Sequence, residues 1–127
     1  MKDSHDVARI VLGCIRLFNG GVALIAPQFL ARNVGIDPDT TPGALYVFRM
    51  FGIRTVLIAV DLLFSTGRRQ AEAIDQAPMI HASDTVAAVL AALSGKIPGR
   101  GGLTIVLISA VNTALALYAR QGLHRSG

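Results

Sequence analysis

From residue 103 to residue 119 the chain reads LTIVLISAVNTALALYA, an apolar run without a charged side chain. A helix of roughly 20 residues, range about 17 to 25, is what crosses a bilayer. Inside hydrocarbon the backbone must satisfy its own hydrogen bonds, so helix is the conformation open to such a run.

Three more apolar segments are set off by their breakers. The first, about 7–26, is stopped by Pro27, whose ring cannot continue a helix. The second, about 43–66, has Thr41 as an expected N-cap, Pro42 at the first helical position and Gly67 as its stop. The third, about 78–94, precedes Gly95, and an earlier start within RRQAEAIDQA stays open. PGRGG, before the fourth, is a turn by composition. The expected fold is all-α: one integral membrane domain over 1–127, built as a bundle of four transmembrane helices. Composition agrees, since 16% of residues are charged where soluble domains carry roughly 25%.

Basic residues orient the bundle. Lys2, Arg68, Arg69, Arg120 and Arg125 fall on the side shared by the termini and the 67–77 loop. Arg32, Lys96 and Arg100 fall on the other, so both termini are expected in the cytoplasm. The start, MKDSHDVAR, has two aspartates where a signal peptide is basic, and the first segment is expected to be retained. In the 27–42 loop, QFLARNVGI reads either as an irregular loop or as a short interfacial helix dipping Phe29, Leu30, Val34 and Ile36 toward the headgroups.

Several functions are disfavoured. Beyond Arg68-Arg69 there is no compact basic run, and several arginines sit in apolar segments out of reach of a phosphate backbone, so no nucleic-acid partner is expected. Cys14 is the only cysteine, which excludes an intramolecular disulfide; it is expected to be a small buried residue. His81-x-x-Asp84 has no second histidine within the spans and has arginines nearby, so no metal or other cofactor is assigned. Asn19 and Asn112 read as interhelical hydrogen-bonders.

The informative residues are the ions inside the apolar segments. Counted at about 1.5 Å per residue, Arg16 and Arg54 lie near mid-depth, with Arg9, Asp61, His81 and Asp84 toward the cytoplasmic side. A charge at the centre of a span costs roughly 2.5 to 3.5 kcal/mol, so these groups must face one another or water. Arg16 and Arg54 are expected beside Asp84, and Arg9 beside Asp61, with His81 one turn from Asp84. Gly13 and Gly20 share the Arg9/Arg16 stripe and offer bare backbone to a neighbour. Arg49, near a helix end, is expected to snorkel.

Arg9, Arg16 and Arg54 outnumber Asp61 and Asp84, which leaves a positive charge asking for an anion or strong acceptor: a lipid phosphate, a fatty carboxylate or a quinone carbonyl. The candidate ligand-binding residues are Arg16, Arg54, Asp84, Asp61, Arg9 and His81. The competing view is that the ions only fix helix register. Ala87, Ala91 and Gly95, with Ala88 and Ala92 beside them, are spaced for close helix packing, inside the bundle or at a homo-oligomer seam.

RLFNGGVALIAP in the first segment, FGIR in the second and an aspartate early in the third resemble the small four-helix bacterial membrane proteins grouped around DoxX, especially their uncharacterised actinobacterial-type members. The matching residues are Arg16, Gly20, Pro27, Gly52, Arg54 and Asp84. The resemblance implies a multi-pass fold in the bacterial cytoplasmic (inner) membrane with a polar cluster inside it, and loose association with redox-stress or respiratory partners. It carries over no catalytic residue. The first expectation is a non-enzymatic protein that binds a membrane lipid or quinone-like molecule, or serves as accessory subunit to a membrane protein partner. The alternatives are an intramembrane isomerase or oxidoreductase using Asp84 or His81, and a purely structural assembly factor.

Overall fold

The computed structural model describes residues 3–95 and 99–126. Five helices follow one another: α1 (Ser4–Ile25), α2 (Pro27–Asn33), α3 (Gly43–Phe64), α4 (Gly67–Leu93) and α5 (Gly99–Ser126). No strand occurs among the described residues. The all-α expectation holds, with the four long helices where the four apolar segments lie.

The ends are tied together by name. The Ser4 and Tyr118 hydroxyls lie 2.7 Å apart, and His5 Nδ1 is 2.8 Å from the Tyr118 carbonyl oxygen, joining the start of α1 to the last turns of α5. Arg9 donates to the Leu62 carbonyl, which brings the end of α3 to the same side. The long helices therefore alternate in direction, with the start of α1, the end of α5 and the α3–α4 link at one end.

Packing is uneven around the bundle. α1 packs along α3 and also against α5, and α4 packs along α5. α3 and α4, although joined through Ser65 and Thr66 alone, touch little.

Close approach of α1 to α3 depends on absent side chains. A Cβ on Gly52 would sit 2.7 Å from the Leu24 nitrogen and 2.8 Å from the Gly20 carbonyl oxygen, both of them backbone. A Cβ on Gly13 would sit 2.6 Å from Leu63 Cγ. The bare backbone of the Arg9/Arg16 stripe is thus taken up by α3. The core around it is small: Leu12 and Leu62 are joined by Ala8, Ile74, Ala77, Ala116 and Ala119.

Large apolar side chains instead face outward. Phe18, Ile25, Leu57, Phe64, Met79 and Leu93 are all well exposed. Two helical stretches, Ser4–Ile25 and Gly99–Arg125, are long and apolar enough to cross a membrane, with mean hydropathies of 1.6 and 1.8. α3 carries Arg49, Arg54 and Asp61 along its length, and α4 opens on Arg68, Arg69, Glu72 and Asp75.

Several boundaries differ from expectation. α4 begins at Gly67, not near 78, and continues through Pro78. Proline withholds the donor that the Ile74 carbonyl would have received; Ile74, Ala77, Pro78 and His81 nonetheless form one buried stripe that holds the helix on its neighbours. Of PGRGG, the described residues 99–102 are the first turn of α5, because Gly101 and Gly102 lie against Val34 and Ala92, where a Cβ would clash. Pro42 is itself the cap of α3, displacing Thr41. The 27–42 connection does contain a helix, α2, but only Phe29 of its four apolar residues is exposed; Val34 is buried in the protein. Cys14 is exposed, since α1 packs through Leu12, Gly13, Arg16 and Gly20 and leaves residue 14 on the outside. On α4, Ala88 is buried and Ala92 meets Gly102 of α5, whereas Ala87 and Gly95 are exposed. Lys2 and Lys96, counted for orientation, and Pro98 of PGRGG lie outside the described residues.

Candidate functional site

Arg16 stands in the packed stripe of α1, between Leu12 and Gly20, and its side chain is buried. Its length carries the guanidinium past α3: Nη2 is 3.4 Å from the Thr55 hydroxyl and 3.4 Å from Asp84 Oδ2 on α4. Cζ lies 5.5 Å from the centroid of the Phe51 ring, within cation–π range. The Nε of Arg16 is buried without a partner among the described residues.

Arg54 approaches the same carboxylate from α3, its Nη2 3.4 Å from Asp84 Oδ1. Its side chain is 47% exposed, against 4% for Arg16. One aspartate therefore divides its two oxygens between two arginines on two different helices. Both contacts are longer than the 2.7–2.9 Å usual for charge-assisted hydrogen bonds, so neither guanidinium is saturated by Asp84. The layer carries two positive charges and one negative.

Further buried or half-buried polar groups lie on α4 next to Asp84 and on the facing stretch of α5. His81, one turn before Asp84, is fully buried, and neither ring nitrogen has a hydrogen-bond partner among the described residues. The Thr85 and Thr113 hydroxyls meet at 3.3 Å across α4 and α5. Since Thr85 follows Asp84 and Thr113 follows Asn112, this contact sets Asn112 of α5 at the depth of the carboxylate. Asn112 is buried, and both side-chain polar atoms lack a partner among the described residues, so it is not the interhelical hydrogen-bonder expected of it.

The face of α3 that bears Arg54 is open. Met50, Ile53, Arg54, Leu57, Ile58 and Asp61 line a shallow groove of about 460 Å³. Both charged residues of that groove bond to α4, Arg54 to Asp84 and Asp61 to Arg69, so the groove runs along the side of α3 that α4 fails to cover.

Of the six residues singled out in the sequence, Arg16, Arg54 and Asp84 meet, and His81 lies a turn away. Arg9 and Asp61 do not pair. Arg9 binds Asp6, three residues back on α1, and the Leu62 carbonyl. Asp61 receives Arg69 at 2.9 Å and the Ser65 hydroxyl at 3.1 Å. The short α3–α4 link folds Arg69 over the last turn of α3, and Arg9 finds an acid on its own helix at a spacing where side chains are neighbours. Thr55 and Phe51, which complete the surroundings of Arg16, escaped sequence reasoning; a threonine directly after an arginine inside an apolar segment was the available signal for Thr55.

The triad can hold a carboxylate, a phosphate oxygen or a carbonyl through guanidinium donors. It has no cluster of carboxylate, imidazole and thiol ligands for a cation: no group of three such residues suited to a metal ion occurs among the described residues. No protein-family model, curated protein or solved structure matches the chain.

Proposed function

We propose that the chain is a small four-span membrane protein of the bacterial cytoplasmic membrane, termini inside, whose Arg16–Asp84–Arg54 layer binds a lipid or quinone-like molecule. The observation that carries this reading is the shared carboxylate: two guanidiniums, one of them buried, contact a single aspartate at more than hydrogen-bond optimum. Around them the outside of the helices is apolar, with Phe18, Leu57 and Met79 exposed. In a low-dielectric layer an uncompensated positive charge is costly, and a ligand that supplies an anion or acceptor lowers that cost.

Kinship with DoxX-like proteins belongs to the same proposal. It rests on Arg16, Gly20, Pro27, Gly52, Arg54 and Asp84, and four of these have physical duties here: Gly20 and Gly52 let α1 meet α3, and Arg16 and Arg54 share Asp84. A role as accessory subunit for a membrane protein partner is compatible with the same site.

Extraction of the protein in mild detergent, followed by mass spectrometry of co-purifying small molecules, tests the reading. Wild type is expected to retain a specific acidic lipid or quinone that Arg16→Gln and Arg54→Gln lose while staying helical. Identical extracts from all three would defeat it.

A further inference from the structure

The triad and the groove on α3 together specify more than an acceptor. We infer that the ligand is a single-chain fatty carboxylate, entering sideways from the bilayer, with its headgroup on Arg54 and its chain across Ile53, Leu57 and Met50. This rests on the proposed ligand-binding role of the arginine layer and narrows it to one chemistry.

Charge complementarity selects a monoanion. Arg16 and Arg54 against Asp84 leave a surplus of one positive charge, which one carboxylate cancels and a neutral quinone does not. Asp61 does not cancel it, because its carboxylate is engaged by Arg69. Division of labour follows from exposure. Arg16 is buried behind α3 and holds Asp84 in place, whereas Arg54 is half exposed and lies in the wall of the groove, with donors left over after its one bond to Asp84.

Depth argues against a phospholipid. Arg54 sits midway along α3 (Gly43–Phe64), about 15 Å from either end at 1.5 Å per residue. A phosphodiester stays charged and would have to leave the headgroup layer to reach it. A fatty acid enters the hydrocarbon as its neutral acid; in net terms one acid is taken up, one carboxylate is held beside the guanidiniums, and one proton is released to the bulk aqueous phase outside the bilayer. The rest of the groove suits a chain: Met50, Ile53 and Leu57 are exposed apolar side chains, and the opening is lateral.

The experiment uses the full chain in lipid nanodiscs. Palmitate carrying ¹³C at the carboxyl carbon is titrated and its carboxyl resonance followed, with hexadecanol, phosphatidylglycerol and a decyl-substituted benzoquinone as competitors. Palmitate is expected to saturate one site per chain. Arg54→Gln should weaken it about ten-fold to a hundred-fold, the effect of removing a charged hydrogen bond. Leu57→Trp, which fills the groove and leaves every ion in place, should weaken it comparably. Hexadecanol and phosphatidylglycerol should not compete. Circular dichroism establishes that each variant remains helical, and Arg54→Lys, which keeps the charge, should recover part of the affinity.

Palmitate binding that is unaffected by Leu57→Trp, or equal displacement by hexadecanol, would overturn the inference. If the benzoquinone or phosphatidylglycerol binds in an Arg54-dependent way and palmitate does not, the carboxylate assignment falls and the arginine layer survives as a ligand site. If none of the probes binds, both fall.

Discussion

The two flanks of α3 are built on opposite principles. Toward α1, Gly20 and Gly52 bring backbone onto backbone, and the arginines that cross this seam, Arg9 and Arg16, meet neutral groups of α3 at the Leu62 carbonyl and Thr55. Toward α4 the helices scarcely pack, and Arg54–Asp84 and Arg69–Asp61 reach across the gap. A seam of missing side chains makes a rigid wall; a seam of long charged ones leaves a space with donors at its edge. The first is suited to holding Arg16 in place, the second to admitting a guest.

Substitutions can break this contrast. The largest effect is expected from Asp84→Ala, which leaves Arg16 buried without its carboxylate and should cost about 3 kcal/mol or more in reversible unfolding from bilayers or mixed micelles. Next comes Gly52→Ala. Its new methyl group meets backbone atoms that cannot rotate away, and the loss should be about 1 to 3 kcal/mol in the same assay. Arg54→Gln sharpens the comparison, because it removes one charged hydrogen bond and leaves Arg16 and Asp84 as a balanced pair, so the stability loss should be about 1 kcal/mol, while ligand retention collapses. Thr85→Val removes an interhelical hydroxyl contact and should cost about 0.6 kcal/mol. The smallest change, no more than about 0.5 kcal/mol, is expected for Glu72→Ala, whose pair with Arg68 is exposed at the end of the bundle.

The meeting of Arg16, Arg54 and Asp84 was legible in the sequence because charges well inside long apolar segments have few favourable partners except one another. Depth alone served well there and poorly at the edge. Arg9 and Asp61 also lie at similar depth, but near the ends each has nearer choices, Asp6 on the same helix and Arg69 beyond a tight link, and only the path of that link decides between them.

Glycine was misread for a related reason. In PGRGG composition signals a turn, yet Gly101 and Gly102 serve as smooth surface against Val34 and Ala92 within α5. A glycine that admits a neighbour and one that bends the chain look alike until the neighbour is known. Pro78 shows the converse: a residue that ends helices elsewhere is carried inside α4, in line with the tolerance of proline where neighbouring helices support the backbone. The side of α1 on which Cys14 lies, likewise, depends on which face α3 and α5 take.

The same cysteine permits the most direct check on the central claim, that the Arg16 layer sits within hydrocarbon. Cys14 is the only cysteine in the chain, is exposed, and lies two residues from Arg16, so a nitroxide can be attached without engineering. Power-saturation EPR in nanodiscs should find that label readily relaxed by oxygen and shielded from a water-soluble nickel complex. Ready access of the nickel complex to residue 14, with little effect of oxygen, would place the arginines in water and contradict the account.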